Sequence, residues 1–99
     1  MEIINVVFDG DYEDVDIILV PESIVDEIEI YLQSFFDWAT DTPNRKKYEV
    51  TDQFGRIVVS LGTVEFVNWL NQCILAPPEQ AGILEQHTTF LANKPVIEF

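Results

Sequence analysis

Residues 2–20 read EIINVVFDGDYEDVDIILV. Two apolar runs, 2–8 and 15–20, are rich in β-branched residues and have the length of strands. Between them DGDYED supplies turn formers. The stretch is therefore expected to be a hairpin whose loop carries an acidic cluster. From Phe8 to Asp16, Asp9, Asp11, Glu13, Asp14 and Asp16 are carboxylates, with no lysine or arginine nearby. Three physical explanations compete: a cation site, a solvated turn, or a surface built to meet positive charge.

Downstream, Pro21-Glu22-Ser23 opens a helix, with Ser23 as the expected cap and Asp26 three residues on. Ile24, Ile28, Tyr31, Leu32, Phe35 and Ala39 recur at helical spacing and form its core stripe. Glu22, Asp26, Glu29, Gln33 and Asp37 form a second, mostly acidic ridge. Like charges at three- and four-residue spacing cost a few tenths of a kcal/mol each in an isolated helix, about 0.2–0.5. No lysine relieves them.

Residues 40–46 are a polar loop by composition. Runs 47–51 and 56–61 make a second hairpin, with Gly55 suited to a left-handed position in its turn. Thr63 is the expected cap of a second helix, whose stripe is Phe66, Val67, Leu70, Cys73 and Ile74. Pro77-Pro78 ends it. Residues 79–87 are expected to form a short third helix, and PVIEF a last strand. The implied fold is α+β or α/β: one domain, 1–99, with a mixed or antiparallel sheet of about five strands covered by two main helices.

Composition narrows the function. The 99 residues carry 18 acids and 5 bases, a formal net charge of −13. Residues 1–42 hold 12 of the acids and none of the bases. Such a chain repels nucleic acid and anionic membranes, so no direct nucleic-acid contact is expected. No apolar run approaches the ~20 residues of a membrane-spanning helix. MEIINVVFDG lacks a basic leader and a cleavage site, and is expected to be a first strand. One cysteine fits a reducing compartment, so a cytoplasmic location is expected.

Chemistry is sparse. Asp9, Asp11 and Glu13 imitate the first ligands of an EF-hand loop. However, Asp14 stands where Gly belongs, Val20 where Glu belongs, and strands flank the segment. No metal site is expected. One His and one Cys cannot make a Cys/His zinc site. Cys73 is expected to be a buried thiol and His87 a surface or partly packed residue. No phosphate loop, dinucleotide fingerprint or nucleophile elbow occurs. The expectation is therefore no enzyme, no catalytic residues and no cofactor.

The aromatic residues bear on partners. Trp38 in SFFDWATD and Trp69 in EFVNWLNQ each follow a Phe by three residues. Core packing is the ordinary role of such residues. Trp38 lies next to Asp37 and Tyr12 lies within the acidic stretch. Both are candidate interface anchors, since Trp and Tyr are enriched among binding hot spots. Ile30 falls off the core stripe beside Glu29 and Asp26. The expected partner-binding residues are Asp11, Tyr12, Glu13, Asp14, Asp16, Asp26, Glu29, Ile30, Asp37 and Trp38.

The layout of VPESIVDEIEIYLQSFFDWATD (20–41) followed by TVEFVNWLNQ (63–72) resembles the small acidic immunity proteins of bacterial toxin–immunity systems, including those of contact-dependent growth inhibition. The resemblance covers about residues 19–72. It implies an intracellular inhibitor that binds a cognate toxin domain, often a nuclease with a cationic cleft. The charge of −13 opposes self-association, so the free chain is expected to be a monomer. Two other classes stay open. One is a nucleic-acid mimic aimed at a DNA-binding enzyme. The other is a non-catalytic interaction domain that self-associates through an apolar patch.

Overall fold

A computed structural model describes residues 1–99, with the side chain of Thr42 left aside. Strands β1 (Glu2–Phe8) and β2 (Asp11–Val20) pair antiparallel, with Glu2 opposite Val20 and Val6 opposite Asp16. They are joined by Asp9-Gly10 alone, both left-handed at φ 53° and 72°. Two left-handed residues match the twist of the flanking strands, and Asp-Gly supplies them at low steric cost. The expected loop over 9–16 is thus corrected: Asp11, Tyr12, Glu13 and Asp14 belong to a strand. The register shifts between Val6 and Phe8, so residues 12–15 oppose Val7 alone.

The helix expected from Ser23 is interrupted. Helix α1 (Glu22–Val25) is one turn preceded by Pro21, and no side chain caps it. After Asp26-Glu27 the chain restarts as α2 (Ile28–Thr40). The break falls where an unbroken helix would stack Glu22, Asp26 and Glu29 without a cation between them. Ser23 is no cap, and neither is Thr63, a first-turn residue of α4 (Thr63–Trp69) that follows Gly62. Helix α3 (Thr42–Arg45) and a 3₁₀ turn, Lys46–Tyr48, occupy the expected polar loop.

Six strands divide between two sheets. Strands β3 (Glu49–Thr51) and β4 (Ile57–Val59) form a separate antiparallel ribbon. Gly55, at φ 77°, sits in its turn. The expected helix over 79–87 is overturned: Gly82–Thr88 is strand β5, paired with β2. Its apolar positions, Ile83 and Leu84, are adjacent and exposed, so it has no helical stripe to bury. Strand β6 (Val96–Glu98) runs parallel to β1, and the four-stranded mixed sheet has the order β5-β2-β1-β6. The class is α+β.

Both faces of the β1–β2 pair are covered. On one face Ile4, Val6, Ile18 and Val20 meet Ile28, Leu32, Phe35 and Ala39 of α2 and Phe66, Trp69 and Leu70 of the second helical segment. Phe35 and Phe66 are fully buried with ring centroids 5.6 Å apart. Truncating either to Ala costs about 3–5 kcal/mol by the usual large-to-small scale. On the other face Val7, Val15 and Ile17 pack with Phe90 and Val96. Cys73, in the π-helical turn Leu70–Ile74 after α4, is exposed, contrary to the expected burial. The wider π turn rotates it off the stripe that Phe66, Val67 and Leu70 define. Among the described residues no helix is long and apolar enough to cross a membrane.

Candidate protein-binding face

Helix α2 turns its apolar stripe inward, which leaves the opposite ridge to solvent. Asp26, Glu29, Gln33 and Asp37 are all exposed. Gln33 donates from Nε2 to Asp37 Oδ1 at 3.1 Å, which steadies one carboxylate. Ile30 stands among them 64% exposed, a large apolar residue that no core contact explains.

Strand β6 lies beside this ridge. Between them runs a groove of about 490 Å³, lined by Glu29, Gln33, Phe36, Tyr12, Val96 and Glu98 among others. A second hollow of about 470 Å³ continues it along Asp26, Glu27, Ile30 and Pro95, sharing Glu29 and Val96 with the first. The walls are apolar at Leu32, Phe36 and Val96, and their rims carry carboxylates.

Tyr12 closes one end. Its hydroxyl donates to Glu98 Oε1 at 2.8 Å, and its ring meets Phe90 edge-on at 5.2 Å. The carboxylate that accepts its proton holds the phenol above its ordinary range, with desolvation and the nearby negative charge adding to the effect. Tyr12 is still 45% exposed, as an interface aromatic must be. Its strand neighbours Asp11 and Glu13 are exposed as well, and Asp11 Oδ1 accepts from the Glu13 N–H at 3.0 Å. Asp14 is exposed with its Oδ1 3.0 Å from His87 Nδ1.

Two expected contact residues are placed otherwise. Asp16 is only 6% exposed. It accepts hydrogen bonds from Thr63 Oγ1 at 2.5 Å and from the His87 N–H at 3.1 Å. It joins β2 to α4 and β5 and is not a contact residue. Strand alternation buries its neighbours Val15 and Ile17 on the other face and turns Asp16 toward the helices, where a charge needs such partners. Trp38 is half-buried against Tyr48, ring centroids 6.0 Å apart, with Lys47 Nζ 5.7 Å from its ring centroid. Packing α2 against the 3₁₀ turn engages much of its surface.

Glu98, Phe36 and Val96 join the face without having been singled out from sequence. Glu98 reaches it only because β6 pairs with β1, bringing Glu98 opposite Val7. No local pattern in PVIEF carries that register.

Four of the five cations form a separate group, and the fifth, Lys94, is exposed just before Pro95 and β6. Arg45, Lys46 and Lys47 follow α2, and Arg56 sits at the ribbon turn. Arg45 pairs with Glu49 at 3.6 Å and Arg56 with Asp52 at 2.8 Å. The Asp52 carboxyl is held below its ordinary range, chiefly by the Arg56 N–H. These pairs neutralise the ribbon internally, and among the described residues no salt bridge joins a cation to Asp26, Glu29 or Asp37. Among the described residues, no three His, Cys, Asp or Glu side chains converge as a metal site. Comparison with protein-family models, with curated proteins and with solved structures finds no match to this chain.

Proposed function

We propose that this chain is an immunity-type inhibitor. Its acidic groove between α2 and β6 binds a cationic protein toxin, a nuclease by the chemistry of the face, and occludes the groups that hold phosphate. The observation that carries this is the groove itself: carboxylates of Glu29 and Glu98 on opposite walls, Tyr12 at one end and Ile30 at the other. A nuclease must present lysine and arginine to its substrate. A rigid acidic surface competes for those groups and draws them in over a Debye length, about 8 Å at physiological salt. Affinity needs apolar contact inside the charged rim, which Tyr12, Ile30 and Phe36 supply.

The chain acts as a monomer in the cytoplasm and needs no cofactor. The test is co-expression with the product of the adjacent gene, purification at physiological salt, and assay of toxicity. A stoichiometric basic partner, toxic alone and harmless in the complex, supports the proposal. Capture of a DNA-processing enzyme instead, with no effect on the neighbouring product, would replace it with nucleic-acid mimicry.

A further inference from the structure

Strand β6 ends the sheet, and the phase of its pairing is set by two hydrogen bonds. The Asn5 N–H donates to Pro95 O at 2.9 Å, and the Phe99 N–H donates to Val7 O at 2.9 Å. In a parallel pair, alternate residues of a strand turn both their peptide groups to one neighbour. Pro95, Ile97 and Phe99 therefore face β1. The N–H and C=O of Val96 and of Glu98 face away from it.

Those are the two residues of β6 that line the groove; Ile97, buried in the core, does not. The groove thus has a floor made partly of an open sheet edge, with two donors and two acceptors at the spacing of an added strand. One wall is the α2 ridge. The other sheet edge, β5, lacks this setting: its register with β2 shifts twice, and none of the four hollows described along the surface is lined by its residues.

An exposed edge is a template for another chain, and proteins commonly blunt it. Here the edge is short and is preceded by Pro95, which limits pairing with arbitrary strands. It is also flanked by four exposed carboxylates, Asp26, Glu27, Glu29 and Glu98, against one exposed cation, Lys94, before Pro95. This charge selects the occupant. A second copy, at −13, would bring like charge to like. An extended segment bearing lysine or arginine at alternate positions would satisfy the edge with its backbone and the carboxylates with its side chains.

We infer that the α2–β6 groove receives an extended, cationic segment of the partner protein, which adds to β6 as a fifth strand of the sheet. The inference rests on the inhibitor function above and specifies its contact. Strand addition supplies main-chain hydrogen bonds; the cationic side chains face the α2 ridge, and the side chains between them meet Val96 on the other face of the sheet.

The test uses the 99-residue chain and a blocked synthetic peptide alternating lysine and valine, followed by NMR at millimolar peptide. Shifts are expected at Val96, Glu98, Glu29 and Tyr12, with slowed amide exchange at Val96 and Glu98. Methylating the alternate peptide nitrogens that would face the edge should weaken binding about tenfold, the loss of one or two hydrogen bonds. Val96→Pro removes an outward N–H that no ladder bond uses, and should weaken the unmodified peptide while the Ile97 amide stays protected.

Strand addition is refuted by binding without slowed exchange at Val96 and Glu98, by equal binding of the methylated peptide, or by no binding. If the toxin of the adjacent gene is neutralised all the same, the inhibitor function survives and only the strand contact falls. If the peptide adds to β6 but no toxin is neutralised, the inhibitor function falls instead.

Discussion

Thr63 and Asp16, 47 residues apart, are joined by a buried 2.5 Å hydrogen bond in which the hydroxyl donates to the carboxylate. The other oxygen of Asp16 accepts the His87 N–H. One carboxylate therefore ties the first turn of α4 and strand β5 to β2. Asp16→Ala leaves a hydroxyl and an N–H unpaired and should cost about 1–3 kcal/mol of stability. Urea unfolding checks this. A variant as stable as the parent would mean that water replaces both bonds.

The groove depends on a second buried polar group. Asn5 donates from Nδ2 to Leu91 O at 2.9 Å and Pro95 O at 3.3 Å, and its Oδ1 accepts the Leu91 N–H at 2.9 Å. This side chain holds the segment that delivers β6 to the sheet. Asn5→Ala should lose about 1–3 kcal/mol. It should also raise hydrogen exchange at Leu91 and Ile97 well before the core of α2 is affected. Uniform loss of protection would show that Asn5 supports the whole domain equally.

The Tyr12 hydroxyl donates to Glu98 Oε1 at 2.8 Å. The folded phenol binds its proton more tightly than the ordinary value of 10.0 allows. Its contribution to stability is therefore complete below that value and is lost as pH rises through the folded pKa. Glu98→Gln removes the charge and should bring the Tyr12 ionisation back down toward 10.0, as read by ultraviolet absorbance. An unchanged titration in the variant would mean that the bond to Glu98 is not what raises it.

Charge reversal separates binding from folding. Asp11, Glu13 and Asp14 are exposed, as are Asp26 and Glu29. The triple change of the first three to Lys, or Asp26→Lys with Glu29→Lys, should leave stability within about 0.5 kcal/mol per site. Each should slow association with the proposed toxin partner by roughly tenfold or more at low salt, with the difference shrinking as salt rises. Normal association by both variants would place the contact elsewhere. Ile30→Ala, at a position 64% exposed, should spare folding and cost over about 1 kcal/mol of binding.

Much of the fold was legible along the chain because its signals are local. The apolar runs of β1 and β2, the stripe Ile28, Leu32, Phe35 and Ala39, the Gly55 turn and the stop before Pro77-Pro78 depend on neighbours a few residues away. Residues 79–87 read as a helix, although 82–88 form β5, because that strand is held by its pairing with β2 and not by a pattern of its own. Asp11 and Asp16 look alike in the sequence. Only the bulged register of β2 decides that one meets solvent and the other meets Thr63.

Charge and its segregation were determined by the sequence alone. With 12 acids and no base in residues 1–42, an acidic surface followed whatever the fold, because carboxylates cannot be buried in number without partners. The tertiary structure decided the shape of that surface. A parallel pairing between the first strand and the last brought Val96 and Glu98 beside α2, and Tyr12 across to Glu98. Contacts between residues 86 apart come from packing and register, and no local preference in either segment encodes them.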